Sequence, residues 1–151
     1  MVRSLETLDD TAQVRVPGKP SRKIVRARLS VAARLARAFH VFLASALAAG
    51  LLFQVFFAGM GAFGADWSYH VTLAHFLGFL PLLMVPAAFV GRMTWALRVL
   101  PLGIVLLIGT QYALADAVVP AAALHPLNGF LILLTSLFIV RRSWAVVRKK
   151  G

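Results

Sequence analysis

The sequence predicts an all-α fold, an integral membrane four-helix up-down bundle, and three observations predict it. Hydrophobic residues make up 60% of the 151-residue chain and charged residues only 14%, a composition typical of proteins dissolved in lipid. Four long uncharged runs follow one another along the chain. The positive charges cluster between and beyond these runs. Together these features indicate one membrane domain built from helices.

The four uncharged runs each approach the roughly 20 residues that a helix needs to cross a bilayer. In lipid the backbone must satisfy its own hydrogen bonds, so runs of this length are predicted to be helices. The membrane domain as a whole is placed at residues 38–145. The predicted helices cover residues 38–62, 67–90, 96–117 and 120–141.

The distribution of charge predicts the orientation of the bundle. Nine of the sixteen Lys and Arg residues precede Ala38, two lie between the second and third runs, and five follow the fourth. All sixteen therefore fall on one side, whereas the two loops on the other side contain only Asp66 and Asp116. The positive-inside rule then predicts that both termini are cytoplasmic.

Three further segments are predicted outside the spans. Residues 1–20 are predicted to be a disordered tail, and residues 146–151 a basic C-terminal tail. Residues 21–37 are predicted to form a basic amphipathic helix, capped by Ser21, with a cationic face that includes Arg37 and attracts anionic headgroups. The alternative is an ordinary topogenic charge cluster. Because no aromatic residues interleave the charges, the predicted partner is the lipid bilayer and not nucleic acid.

Four polar side chains inside the predicted spans fall at one depth. His75 and His125 are placed about 8–12 Å below the surface opposite the termini, at 1.5 Å per residue. Gln54 and Gln111 lie within about two helical turns of that level. Polar groups within spans are energetically costly and therefore mark candidate functional sites. The sequence thus predicts a polar layer to which all four helices contribute.

This layer has two interpretations. In an up-down bundle the second and fourth helices are diagonal, so His75 and His125 can bind the iron of a b-type haem from both sides, as metal ligands. Gln54 and Gln111 would then complete the cofactor-binding set by bonding a ligand imidazole or a propionate. In the other interpretation the histidines donate hydrogen bonds to a neighbouring helix without any cofactor. No arginine on that side is available for the propionates.

The other two histidines and the rest of the sequence give no further candidate site. His70 is placed at the aqueous boundary as an interface residue. His40 lies at the opposite end of the first span and is predicted to be structural or to face headgroups. With no cysteine in the chain, iron–sulfur clusters and thiol nucleophiles are excluded. No catalytic residue is predicted, so an enzyme is less favoured than an electron carrier or an accessory subunit.

Three segments of the chain, QVFFAGMGAF at 54–63, HVTLAHFLGF at 70–79 and HPLNGF at 125–130, resemble a family of small bacterial four-helix membrane proteins of unknown function. The resemblance implies the fold and a multi-pass location in the bacterial cytoplasmic (inner) membrane, but no activity. The bundle is also similar in outline to four-helix membrane b-type cytochromes, through histidine placement alone. The family's Gln-x-x-x-Ala-Gly and His-Pro-x-Asn-Gly steps are matched by Gln54, Ala58, Gly59, His125, Pro126, Asn128 and Gly129.

Two functions follow as hypotheses. The first is an electron-transfer protein in which His75 and His125 hold one haem b and pass electrons from a quinol to an extracytoplasmic acceptor. The second is a non-catalytic accessory or scaffold subunit that packs against a larger membrane complex. A solute carrier is disfavoured because the spans contain almost no ionisable groups.

Overall fold

The computed structural model describes residues 29–148, and within that range the chain forms helices and turns with no strand. Each of the four long helices is long and apolar enough to cross a membrane. This confirms the predicted all-helical fold of four apolar helices. The long helices are α1 (Val31–Ala62), α2 (Ser68–Val90), α3 (Trp95–Ala115) and α4 (Leu124–Arg148), with a short 3-10 helix at Ala121–Ala123 before α4.

Residues 1–28 and 149–151 lie outside the described range. The predicted tail at 1–20, the Ser21 cap and the last residues of the C-terminal tail therefore stay predictions. Within the described range, the cap of α1 is Ser30, whose hydroxyl accepts a hydrogen bond from the Ala33 N–H at 3.2 Å. From there α1 continues without a break into the predicted first span.

The four helices form a square. Each helix packs against its neighbour in sequence, and α4 packs back against α1. The Cα atoms of α1 and α3, and those of α2 and α4, do not approach within 8 Å of each other. Because short connections join successive helices, neighbours run antiparallel. Helices α2 and α4 are therefore the diagonal pair.

The two ends of the bundle carry opposite charges. The only acidic residues of the described range are Asp66 and Asp116, which lie in or beside the α1–α2 and α3–α4 connections, and we call this the acidic end. At the acidic end Ser68 donates from its backbone N and its hydroxyl to the Asp66 carboxylate, and these two bonds lower the pKa of Asp66. The opposite end, here called the basic end, holds Arg34, Arg37, Arg92, Arg98, Arg141, Arg142 and Arg148.

The bundle is apolar both inside and outside. Large aliphatic side chains from all four helices fill the core with little or no exposure; they include Leu47, Met84, Leu97, Ile104 and Ile139. The exterior is also apolar, with Phe76 68% and Leu106 74% exposed. A helix that is apolar on every face is typical of a membrane span, and so wide an apolar surface is rare on a soluble monomer. These features indicate a multi-pass membrane protein.

Arg37 joins α1 to the turn between α2 and α3. Its side chain is buried, and its Nε and Nη2 donate to the carbonyl oxygens of Gly91 at 2.6 Å and Arg92 at 3.1 Å. The prediction that Arg37 faces lipid headgroups is therefore wrong. The physical reason is that the last carbonyls of a helix have no partner within that helix, and a guanidinium supplies several donors in a fixed fork that can satisfy them.

We expect Arg37→Met to lower the free energy of unfolding by about 3 kcal/mol, because two bonds from a charged donor are lost and buried acceptors are left unpaired. The measurement is loss of helicity on titration with denaturing detergent. Arg34→Met removes an exposed arginine one turn earlier and should change stability by no more than about 0.5 kcal/mol. Equal stability of the two variants would show that the Arg37 bonds contribute nothing.

Candidate functional site

A cavity of about 580 Å³ lies among the four helices toward the acidic end. Its wall includes all four predicted site residues, Gln54, His75, Gln111 and His125, and Asp116 also contributes. The volume lies within the range of small-molecule sites, and apolar side chains supply most of the lining, as is usual for such sites. The structure therefore brings the predicted polar layer together around one cavity.

One wall of the cavity is a reciprocal contact between α1 and α2. Gln54 donates from its side-chain Nε2 to the His70 carbonyl at 2.8 Å, and His70 Nδ1 lies 3.1 Å from the Gln54 carbonyl. The rings of Trp67 and His70 pack edge to face, with 5.6 Å between their centroids. His70 is half-buried and lines the cavity. The sequence had placed it at the aqueous boundary, because depth alone does not show which way a side chain faces.

The opposite wall is a contact between α3 and α4. His125 Nδ1 lies 3.1 Å from the Gln111 carbonyl oxygen. Asn128 is buried and donates from Nδ2 to the Leu107 carbonyl at 2.8 Å and to Gln111 Oε1 at 2.6 Å. A Cβ at Gly129 would lie 3.3 Å from Gln111 Nε2, so the glycine makes room for this amide.

The sequence predicts no role for Asn128 and Gly129 beyond their place in the His-Pro-x-Asn-Gly motif of the resembling family. The structure gives them one: together they position Gln111. The available signal was a polar side chain three residues after His125 on an otherwise apolar helix, since residues three apart lie on neighbouring positions of one helix face.

His75 occupies an exposed edge of the cavity. Its Nδ1 lies 2.8 Å from the carbonyl of Val71 in its own helix, and its ring is 5.6 Å from the ring of Tyr112 on α3. His75 and Tyr112 are both exposed. The cavity is therefore open to the side of the bundle, between α2 and α3.

The three histidines of the cavity share one hydrogen-bonding arrangement. In His70, His75 and His125 the partner of Nδ1 is a backbone carbonyl oxygen. A carbonyl oxygen only accepts, so this partner assigns the proton to Nδ1 and leaves a lone pair on Nε2 in the neutral ring. This is the arrangement found in metal-binding histidines, in which the bond of one nitrogen fixes the tautomer of the other.

The donor set decides which metal groups fit. Residues 29–148 contain no cluster of three or more His, Cys, Asp or Glu side chains placed to hold a metal ion. A haem requires only axial ligands from the protein, and neutral imidazoles are common ones. His75 and His125 fit that requirement through their free Nε2 atoms. Propionates would have to use neutral donors such as Tyr112 and Gln111, because every described arginine lies at the basic end.

A family of unknown function (DUF6220) matches residues 54–122. The matched range contains Gln54, His70, His75 and Gln111 and ends just before His125. Together with the four apolar helices, the match is consistent with a small membrane protein of unknown function. No curated protein and no solved structure matches the chain. The likeness to b-type cytochromes gains no support from these comparisons.

His40 lies outside the cavity, toward the basic end. It is completely buried, and its Nδ1 lies 3.1 Å from Ser143 Oγ. The contact joins α1 to α4, and Ser143 is also completely buried. Of the two predicted roles for His40, the headgroup-facing one is therefore wrong and the structural one agrees with its position.

Proposed function

We propose that the chain is a multi-pass protein of the bacterial cytoplasmic (inner) membrane with both termini in the cytoplasm. The segregation of arginines to the basic end supports this orientation under the positive-inside rule. The positions of the tryptophans also support it, since Trp67 precedes α2 at the acidic end while Trp95 and Trp144 lie near the basic end. Tryptophan is enriched at both interfaces of a membrane.

Within this topology we propose that the protein is an electron-transfer protein that binds haem b, and that His75 and His125 would hold the haem. One observation carries the proposal: two imidazoles on diagonal helices line the same cavity, and each has its Nε2 lone pair free. When bound, a haem supplies a centre that changes redox state by one electron. The carbonyls of Val71 and Gln111 would orient the two rings and raise their basicity.

The surroundings of the two histidines suit this role. The mainly apolar wall limits the access of water to the cavity. Limited access of water sets the redox potential of a metal group bound there. The open edge at His75 and Tyr112 faces the bilayer in the proposed topology. A lipid-soluble quinol could therefore approach the cavity from within the membrane, and it is the electron donor in this proposal. The acceptor would dock at the acidic end.

A second candidate function is a cofactor-free accessory or scaffold subunit of a larger membrane complex. The contacts of His70 and His125 favour it, since each joins two helices through backbone carbonyls. Such polar contacts contribute about 0.6 kcal/mol on average between membrane helices. They would give both histidines a structural role without any ligand.

The absorbance spectrum of the purified protein tests the two functions. The full chain is expressed with haem precursor, purified in detergent and measured before and after dithionite. The haem proposal expects a sharp band in the reduced spectrum that co-purifies with the protein. A colourless, monodisperse protein that also fails to take up added haem would contradict it and leave the accessory subunit as the function.

A further inference from the structure

We propose that the exposed face of α4 at the basic end binds an anionic phospholipid, with its phosphate between Arg141 and Arg148. This inference rests on the proposed membrane topology and is independent of haem. The site would belong to the leaflet that faces the cytoplasm.

A shallow trough forms on this face. Its lining consists of Arg141, Trp144, Ala145 and Arg148, all of them exposed. Their spacing of three, four and seven residues places them along one side of the helix. The small Ala145 side chain forms the bottom of the trough, and Arg141 and Arg148 lie at the two ends of the trough. The trough is therefore open enough for a headgroup to enter.

Both arginines are available to a phosphate. The guanidinium carbon of Arg148 lies 5.4 Å from the centroid of the Trp144 ring, and this cation–π contact holds the side chain against the trough. The acidic residues of the described range, Asp66 and Asp116, are both at the acidic end. No carboxylate of residues 29–148 therefore competes for these arginines. Guanidinium groups bind phosphate with paired, charge-assisted hydrogen bonds.

The position of the trough along α4 matches that of a phospholipid headgroup. Arg141 is the first charged residue after an uncharged run that begins at Ala117, so the trough begins where the apolar span ends. Trp144 provides the aromatic side chain that is typical of this depth. On the span side, an apolar strip of Leu134, Leu137 and Phe138 is exposed. The strip would contact an acyl chain while the trough holds the phosphate.

The charge of the site selects the headgroup. Two arginines without a nearby carboxylate attract a net negative headgroup, and each basic residue near the surface strengthens that attraction. The ammonium of phosphatidylethanolamine would lie beside the same arginines and be repelled. We therefore expect a preference for phosphatidylglycerol. An alternative occupant is the acidic segment of this chain that contains Glu6, Asp9 and Asp10.

Native mass spectrometry of the haem-free full chain in detergent, titrated with each lipid, tests the site. Wild type should bind phosphatidylglycerol more tightly than phosphatidylethanolamine. We expect the double variant Arg141→Gln/Arg148→Gln to bind phosphatidylglycerol roughly tenfold more weakly or worse. The matched control Arg34→Gln/Arg92→Gln removes the same charge from exposed residues outside the trough and should change the affinity less than about twofold. Circular dichroism verifies that both variants are folded.

Three outcomes would overturn the proposal. Equal weakening by the two double variants would show that the lipid responds to net charge and not to the trough. Equal binding of the two lipids by wild type would remove the headgroup preference. Phosphatidylglycerol affinity that is unchanged by Arg141→Gln/Arg148→Gln in the natural chain, but lowered by it in the Glu6→Gln/Asp9→Asn/Asp10→Asn background, would assign the trough to the chain's own acidic segment. None of these results depends on whether the protein binds haem.

Discussion

Alanine in place of either His75 or His125 is expected to abolish the sharp reduced haem band. Each imidazole would hold the haem through Nε2, so loss of either removes one of the two side chains that bind it. Even the loss of a group that only supports a ligand lowers metal affinity 10–100-fold in typical cases, so we expect at least roughly a hundredfold loss here. Haem titration followed by absorbance measures the effect.

The control for this prediction is Thr135→Ala. Thr135 lies on the same helix as His125, bonds only the Leu131 carbonyl of its own helix, and is not part of the cavity wall. Its variant should keep the band. Added imidazole should restore the band in the alanine variants if the histidines are ligands. A band that survives both histidine substitutions would contradict the assignment.

The second large effect is expected from Asn128→Asp, which should destabilise the fold by about 3–5 kcal/mol. In the native protein the Asn128 amide nitrogen donates to two oxygens, the Leu107 carbonyl and Gln111 Oε1. Aspartate keeps the shape but presents an oxygen to both. Two part-buried acceptors lose their donor, and the new buried carboxylate has no cationic partner. Detergent-induced unfolding followed by circular dichroism measures the change.

Two other variants separate the causes of this effect. Asn128→Leu removes the donors without adding charge, so it should cost about 1–3 kcal/mol. Thr110→Val alters an exposed hydroxyl that bonds its own helix and should stay within about 0.5 kcal/mol of wild type. If Asn128→Asp unfolds like wild type, Asn128 does not hold α3 and α4 together.

The ends of the helices show what hydropathy can predict. Helices α2 and α3 begin and end within two residues of the predicted 67–90 and 96–117. Residues 31–37, predicted as part of a separate helix at 21–37, are continuous with the predicted first span in α1, and α4 continues past residue 141 to Arg148. Charge marks the point where a chain leaves the apolar layer, but a helix keeps its own backbone hydrogen bonds in water as well. Uncharged runs therefore predict spans better than they predict helix ends.

The shared level of the polar residues along the bundle was predictable, but the direction in which each side chain faces was not. Counting residues from the loops placed His75, His125 and the two glutamines at one level, and all of them line the cavity. The count could not show that His70 also faces inward. On a helix that is apolar on all sides, no polar stripe marks the outer face, so rotation depends on packing against neighbours. Haem binding by these residues stays a prediction.

The unbroken α1 also fixes the position of its own first turns. Val31 lies six residues before Arg37, which is fixed to the turn between α2 and α3. At 1.5 Å per residue the helix extends about 9 Å beyond that anchor. This part of the helix is also packed, because Ala33 is buried. Val31 is exposed and the chain has no cysteine of its own, so a fluorescent label can be attached to a Val31→Cys variant. The label would be held at a fixed height, and energy-transfer distances measured from it would report directly on how α1 tilts.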